Sequence, residues 1–303
     1  MVVTLILALL STFFTVSSPA WAVNVNCPAD SLQSAIDSAN PGDTIVVSGT
    51  CTGNFLVRND KVRLFIQSTG LASGVCVGRT ATIFGGLSGT ALDIRGKAVS
   101  VSCMVITGGD NGIVVQRGAN AVLDQNQVQN ANGEGITVSS SAFAAITNND
   151  IRGNEGAGIK VMENSSARIG WNSSQSGPAA PNDIFINDIG ILVTGSSSAR
   201  ITSNTIHDNS SDGIRVAGGA QVDASKNAID GNSGDGIFIT ENSALSSGGD
   251  TGIFALPNST TTNNIGFGIR CTAGGSLNGI TGTLNGVMGQ TSVAGNCPNN
   301  LVP

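Results

Sequence analysis

The phrase Gly-Ile-x-Val returns along this chain at Gly112 (GIVV), Gly135 (GITV), Gly158 (GIKV), Gly190 (GILV), Gly213 (GIRV), Gly236 (GIFI) and Gly268 (GIRC). Successive differences are 23, 23, 32, 23, 23 and 32, and 32 is 23 plus 9, so one repeat carries two insertions of equal size. A unit of that length cannot bury an apolar face by itself, so copies must stack, each supplying one layer of a shared core. Strand alternation turns the residue after glycine inward (Ile113, Ile136, Ile159, Ile191, Ile214, Ile237, Ile269) and the next one outward. A second apolar position, at Val128, Ile151, Ile206 and Ile229, supplies another strand before the next glycine. The expectation is a coil of two or three short strands per turn, each turn about 4.8 Å above the last and paired with it in parallel.

Like then sits over like, which accounts for a second regularity. Fourteen residues after each of the first six glycines stand Asn126, Asn149, Asn172, Asn204, Asn227 and Asp250. An asparagine amide can donate to the asparagine one turn on, satisfying a bend where the backbone has left the strand ladder. Glycine suits a corner that needs positive φ or a close approach.

Ahead of the regular rungs, which span about 89–271, the stretch CPADSLQSAIDSANPGD predicts a short amphipathic helix over about 30–40. Asp30 and Gln33 form the expected capping box, Leu32, Ala35, Ile36 and Ala39 share one face, and Asn40-Pro41-Gly42 ends it. Such a helix covers the bare strand edges at the bottom of a coil. Residues 272–303, rich in Gly and Asn, are expected to close the top.

The first 22 residues are an apolar run followed by Ala20-Trp21-Ala22, the pattern of a secretory signal cleaved after Ala22, which leaves one domain over 23–303. No later segment is apolar and long enough to span a bilayer. Six cysteines suit an oxidising compartment, and proximity in sequence pairs Cys27 with Cys51, Cys76 with Cys103 and Cys271 with Cys297. A net charge of -6, with only 14 Lys and Arg, offers no basic field for nucleic acid. A monomer in the extracellular space or periplasm is expected.

Taken together, the capping helix, PGDTIVVSGTC, VSVSCMVITGGDNGIVV and the units N-x-I-x-x-N-x-x-x-G-I-x-V resemble the pectin-lyase-like superfamily of right-handed parallel β-helices. That resemblance implies an all-β, single-stranded right-handed solenoid with an N-terminal capping helix. It also implies a substrate groove across the outward face of one sheet, with a polysaccharide as partner. The outward column is Val114, Thr137, Lys160, Leu192, Arg215, Phe238 and Arg270. Lys160, Arg215 and Arg270, with Phe238 as a stacking plate, are the candidate grip on an acidic sugar; a plain solvated strand face is the simpler account.

Asp212 and Asp235 occupy equal positions on successive turns, so their carboxylates must be protonated, hydrogen-bonded or shared with a cation. No cofactor is expected, and calcium at these two residues is the one candidate ion. With Arg215 they are the only grouping that could be fitted to a lyase, and a carboxylate pair near 5 Å also suits retaining glycoside cleavage. The only histidine, His207, has Asp230 at the same position one turn on, a candidate oriented base. Against catalysis, the Gly-His-Gly, Asp-Asp and Arg-Ile-Lys signatures of the superfamily's hydrolases and the Asp-Pro-His of its epimerases are absent, and the chain has no tyrosine. The leading expectation is therefore a glycan-binding or glycan-organising protein. A polysaccharide lyase, hydrolase or epimerase and an inert surface scaffold are the alternatives. The two insertions, SSQSGPAAP ahead of Asn182 and one around GIFALPNST, leave the coil three turns apart and could wall a groove.

Overall fold

The computed structural model describes residues 21–170, 180–247, 258–286, 293–295 and 299–302. A representative turn carries three strands, Asn111–Val115, Asn120–Asp124 and Gln127–Gln129, and the next repeats them as Ile136–Val138, Phe143–Thr147 and Asp150–Arg152. Strands of the first kind form a ten-stranded parallel sheet, in which Ile113, Ile136, Ile159, Ile191, Ile214, Ile237 and Ile269 lie in one register. Strands of the second and third kinds make two further faces. Thr44–Thr52 bends from one to the other, pairing with both Phe65–Ser68 and Ala81–Phe84, so the two faces are continuous. We call the three faces the first, second and third sheets.

The core sits where alternation places it. All seven isoleucines after glycine have zero exposure, as do Val128, Ile151, Ile206 and Ile229. Burying each is worth roughly 1.5–3 kcal/mol, and because the same residue type fills the same layer, no turn needs a different packing solution. The glycines answer to close approach: a Cβ on Gly135 would come within 2.7 Å of Gly158 O, and one on Gly213 within 2.7 Å of Gly236 O. No side chain fits there.

Two buried asparagine ladders run the length of the regular coil. In the first, Asn126 Nδ2 donates to Asn149 Oδ1 (3.2 Å), Asn149 to Asn182 (2.9 Å), Asn182 to Asn204 (2.9 Å) and Asn204 to Asn227 (3.0 Å). The member between Asn149 and Asn204 is thus Asn182, in place of the expected Asn172, because the first insertion precedes the bend. Asn172 and Asp250 lie outside the described residues. The second ladder, through Asn154, Asn187, Asn209, Asn232 and Asn264, comes from the other asparagine of the same repeat unit. Each amide also donates to a main-chain carbonyl, as Asn204 does to Ile169 O at 3.0 Å.

The helix spans Leu32–Ser38 and buries Leu32 and Ile36. Its cap differs from the expected box: Ser31 is the N-cap and accepts from Ser34 N (3.2 Å), while Asp30 accepts from Asn26 N (2.8 Å). Gln33 instead reaches the first strand of the first sheet, accepting from Leu56 N (2.8 Å) and donating to Leu56 O (2.9 Å). A side-chain amide with donor and acceptor side by side imitates the missing next strand, so the helix docks on the open edge. Lys61, nearly buried, donates from Nζ to Asp37 O (2.7 Å) and Ala39 O (3.0 Å) at the helix C-terminus.

Disulfides join Cys27 to Cys51 and Cys76 to Cys103, as expected. Cys271 is also disulfide-bonded, and Cys297 lies outside the described residues. The stack continues past 271, with Val293–Gly295 pairing on Ile269–Cys271 and Asn299–Val302 on Ser276–Gly286. Residues 1–20 and both insertions fall largely outside the described residues. The strands flanking the insertions, Ser166–Ile169 and Ala244–Ser247, leave the second sheet three steps apart, about 14 Å.

Replacing Asn204 with Ala leaves the main-chain NH of Asn182 and one N–H of its amide without their acceptor inside the core, and takes a donor from the carbonyl of Ile169. We expect a loss of about 2–3 kcal/mol, read as a lower urea midpoint at unchanged slope; a midpoint equal to the parent would remove the ladder as a source of stability.

Candidate functional site

Three outward faces offer side chains to solvent, and each carries a different chemistry. On the first sheet the expected column is in place: Val114, Thr137, Lys160, Leu192, Arg215, Phe238 and Arg270 follow one another in register. Its cations are consumed within the protein. Lys160 Nζ lies 2.6 Å from Glu134 Oε1, Arg215 Nε 2.7 Å from Asp212 Oδ2, and Arg270 Nε 2.6 Å from Asp235 Oδ2. Phe238 is held between the two guanidiniums, 4.3 Å from that of Arg270 and 5.7 Å from that of Arg215.

Asp212 and Asp235 use their remaining oxygens on the backbone. Asp212 Oδ1 accepts from Asp235 N (2.8 Å), and Asp235 Oδ1 accepts from Phe267 N (2.8 Å). Of the alternatives open to two stacked carboxylates, hydrogen bonding and arginine pairing are the ones realised. Burial raises the Asp235 carboxyl above the usual carboxylate range; the Phe267 NH and Arg270 pull it back, and Asp212 adds to the rise. This strip is internally neutralised and every oxygen of the pair has a protein donor, a poor fit to a calcium ion or an attacking carboxylate.

The third sheet presents two outward columns side by side. One is Gln127, Asp150, Asp183 and Thr205; the other is Gln129, Arg152, Phe185, His207 and Asp230. His207 stacks on Phe185 with ring centres 5.0 Å apart and planes within 7°. Its Nε2 lies 3.0 Å from Asp183 Oδ1 and its Nδ1 2.7 Å from Asp208 Oδ2. Ionised carboxylates only accept, so a carboxylate oxygen at each ring nitrogen favours the doubly protonated imidazolium form of His207. Burial opposes that charge, but the hydrogen bonds and charges of Asp208 and Asp183 outweigh it and hold the ring above the ordinary histidine value. Asp230, the expected partner, stands next in the column, while Asp183 and Asp208 make the contacts. Sequence reasoning missed them because they lie diagonal and adjacent to the histidine, off its own column.

Asp150 is different again. Its Oδ1 is buried and, among the described residues, has no hydrogen-bond partner; Arg152 Nε stands 3.6 Å away. Burial pushes its carboxyl above the usual range, Arg152 and Arg79 draw it down, and Asp183 pushes it further up.

The second sheet bears a trough of about 350 Å³, lined by Phe143, Ser166, Ser198 and Gln221 of one outward column and by Arg168, Arg200 and Asp223 of the other. Arg168 and Arg200 are register partners on adjacent turns, with Asp223 following Arg200. This feature, too, was missed. Its signal was present: the tetrapeptide Ser-Ala-Arg-Ile stands at 166–169 and again at 198–201, 32 residues apart, the same interval as Gly158 to Gly190.

Comparison with known proteins agrees with the architecture. The family model described as right-handed β-helix region matches residues 88–251 and 182–297. The chain belongs to the right-handed β-helix family. Pectate lyase Pel9A shares this β-helix at a TM-score of 0.63 and 11% identity, over 94% of this chain and 82% of that one. A variant of the periplasmic alginate epimerase AlgG superposes at 0.54 and 14% identity, over 92% and 82%. An alginate lyase from Paenibacillus sp. str. FPU-7 does so at 0.51 and 16%, over 91% and 99%. At these identities the likeness is one of fold. No curated protein matches the sequence. Among the described residues, no helix of this β-helix is long and apolar enough to cross a membrane, and no group of three or more His, Cys, Asp or Glu is placed to hold a metal ion.

The imidazolium contact gives a pH prediction. A group whose folded pKa is raised stabilises the protein fully below its unfolded value, and that contribution is lost as pH rises through the folded value. Histidine NMR is expected to show His207 titrating above a free histidine, and Asp183→Asn or Asp208→Asn to lower its midpoint. An unshifted midpoint in both variants would show that the two carboxylates do not hold the proton.

Proposed function

We propose that this β-helix is an extracellular, monomeric protein that binds an acidic polysaccharide along the trough of the second sheet. One observation carries the reading: Arg168 and Arg200 stand one turn apart, about 4.8 Å, and both line the trough. A guanidinium binds a carboxylate in a planar, two-point fashion. A chain of acidic sugars supplies carboxylates at repeated intervals, and Phe143 with Ser166 and Ser198 in the neighbouring column suits ring faces and hydroxyls. The solved folds named as pectate lyase, alginate lyase and alginate epimerase support a polysaccharide as partner. The disulfides support an oxidising compartment.

The strip of Lys160, Arg215, Phe238 and Arg270 remains the comparison site. Its cations already have carboxylate partners, so a ligand there must displace Glu134, Asp212 or Asp235. Calorimetry with oligomannuronate and oligogalacturonate separates the two. The Arg168→Ala and Arg200→Ala variants are each expected to weaken binding about tenfold, near 1.4 kcal/mol. Arg270→Ala should leave binding unchanged, added salt should weaken it, and EDTA should have no effect. Full binding by the Arg168→Ala, Arg200→Ala double variant would overturn the reading.

A further inference from the structure

We propose that the apolar leader is removed by a cut between Ala20 and Trp21, and that the α-ammonium so formed seats on the buried carboxylate of Asp43 and locks the bottom of the coil. This rests on the extracellular reading above and is independent of the trough.

Among the described residues three aspartates are buried: Asp43, Asp212 and Asp235. The last two each hold an arginine. Asp43, only 4% exposed, has no side-chain cation beside it among the described residues. Main-chain nitrogens take both its oxygens: Oδ1 accepts from Trp21 N at 2.9 Å and Oδ2 from Asn40 N at 2.8 Å. The Trp21 NH above all, and then the Asn40 NH, hold this carboxyl below the ordinary carboxylate range against the opposing effect of burial. A buried charge is ordinarily matched by an opposite one. A cut before Trp21 turns one of the two donors into that cation.

The sequence permits two cuts. Ala20-Trp21-Ala22 and Ser18-Pro19-Ala20 both place small residues one and three positions before the bond. The fold separates them. Strand Ala22–Cys27 lies on Thr44–Thr52 with Ala22 opposite Thr44, and the ladder reaches one residue further, since Trp21 O accepts from Thr44 N at 2.9 Å. A cut after Ala22 takes away the donor to Asp43 and the acceptor of Thr44 together. A cut after Ala20 keeps both and places the new charge against the carboxylate with no rearrangement.

Asp43 is also a junction. Its NH donates to Asn40 O (3.1 Å), just past the helix, and its carbonyl accepts from Phe65 N (3.0 Å) on the next turn. The ion pair therefore ties the first strand to the end of the helix and to the turn above.

In the cut itself, a signal-type endopeptidase of the exporting cell adds water across the Ala20–Trp21 bond. The oxygen goes to Ala20, which leaves with the leader as a carboxylate, and both hydrogens go to the Trp21 nitrogen, which becomes an ammonium. A contact between two ions then replaces one between an ion and a neutral NH at the same atoms.

The test has two arms. In the first, the exported protein is purified and its first residue read by N-terminal sequencing and intact mass. Trp21 is expected; Val23 or any other start overturns the assignment alone, and a retained leader overturns the extracellular reading with it. In the second, the chain beginning at Trp21 is compared with the same chain carrying Ala20 in front, which keeps the hydrogen bond and moves the charge one residue off. The extension is expected to lower the folding equilibrium constant about tenfold in urea titrations and to leave it unchanged in the Asp43→Asn background. An equal loss in both backgrounds, which a merely structural Asp43 would give, overturns the ion pair. If Asp43→Asn does not fold, NMR titration of the parent decides: the Trp21 α-amine is expected to titrate above its ordinary value of about 7.7–8.0, and a value within or below that range overturns the pair. Glycan binding is read separately by calorimetry, so the trough and this terminus can fail independently.

Discussion

Parallel stacking in strict register is the constraint from which everything else in this protein follows. A turn of about two dozen residues has no core of its own, so it is stable only when each side chain meets an equivalent one above and below. For isoleucine and valine that costs nothing, since apolar layers are self-complementary. For polar side chains it is a severe filter. Asparagine passes because it carries donor and acceptor together and can hand one hydrogen bond up the ladder at every step, which is why two asparagine files hold the bends while serving no ligand.

Charged residues cannot satisfy themselves in this way, and the three faces show three outcomes. On the first sheet the conflict is resolved internally: Asp212 and Asp235 each give one oxygen to the backbone and one to an arginine, with Phe238 filling the space between the guanidiniums. On the second, Arg168 and Arg200 repeat along a trough. On the third, two aspartates stack with an oxygen unsatisfied and an imidazolium alongside.

Much of this was legible beforehand, because a period is a property of one dimension. The inward isoleucines, the outward column from Val114 to Arg270, the pairings Cys27–Cys51 and Cys76–Cys103 and the helix over the bottom edge all follow from spacing and alternation. The same one-dimensional reading misplaced Asn172, since an insertion shifts the count without saying on which side of the bend it falls. It chose Asp30 as the helix cap for the same kind of reason: the motif was right in composition, but Gln33 had a better use on the exposed edge at Leu56.

By itself, the sequence determined the stack: the turn length, the residues in its core, the identity of its ladders and the position of each column, all of which depend on i to i+23 relations that any reader of the chain can count. Only the tertiary structure decided which charges were already spent. Whether Arg215 is free or bound to Asp212, and whether His207 answers to Asp230 or to Asp183 and Asp208, turns on contacts around a corner or along a diagonal between turns. Those distances are set by how far each strand twists and where each bend closes, quantities that a repeat period does not contain.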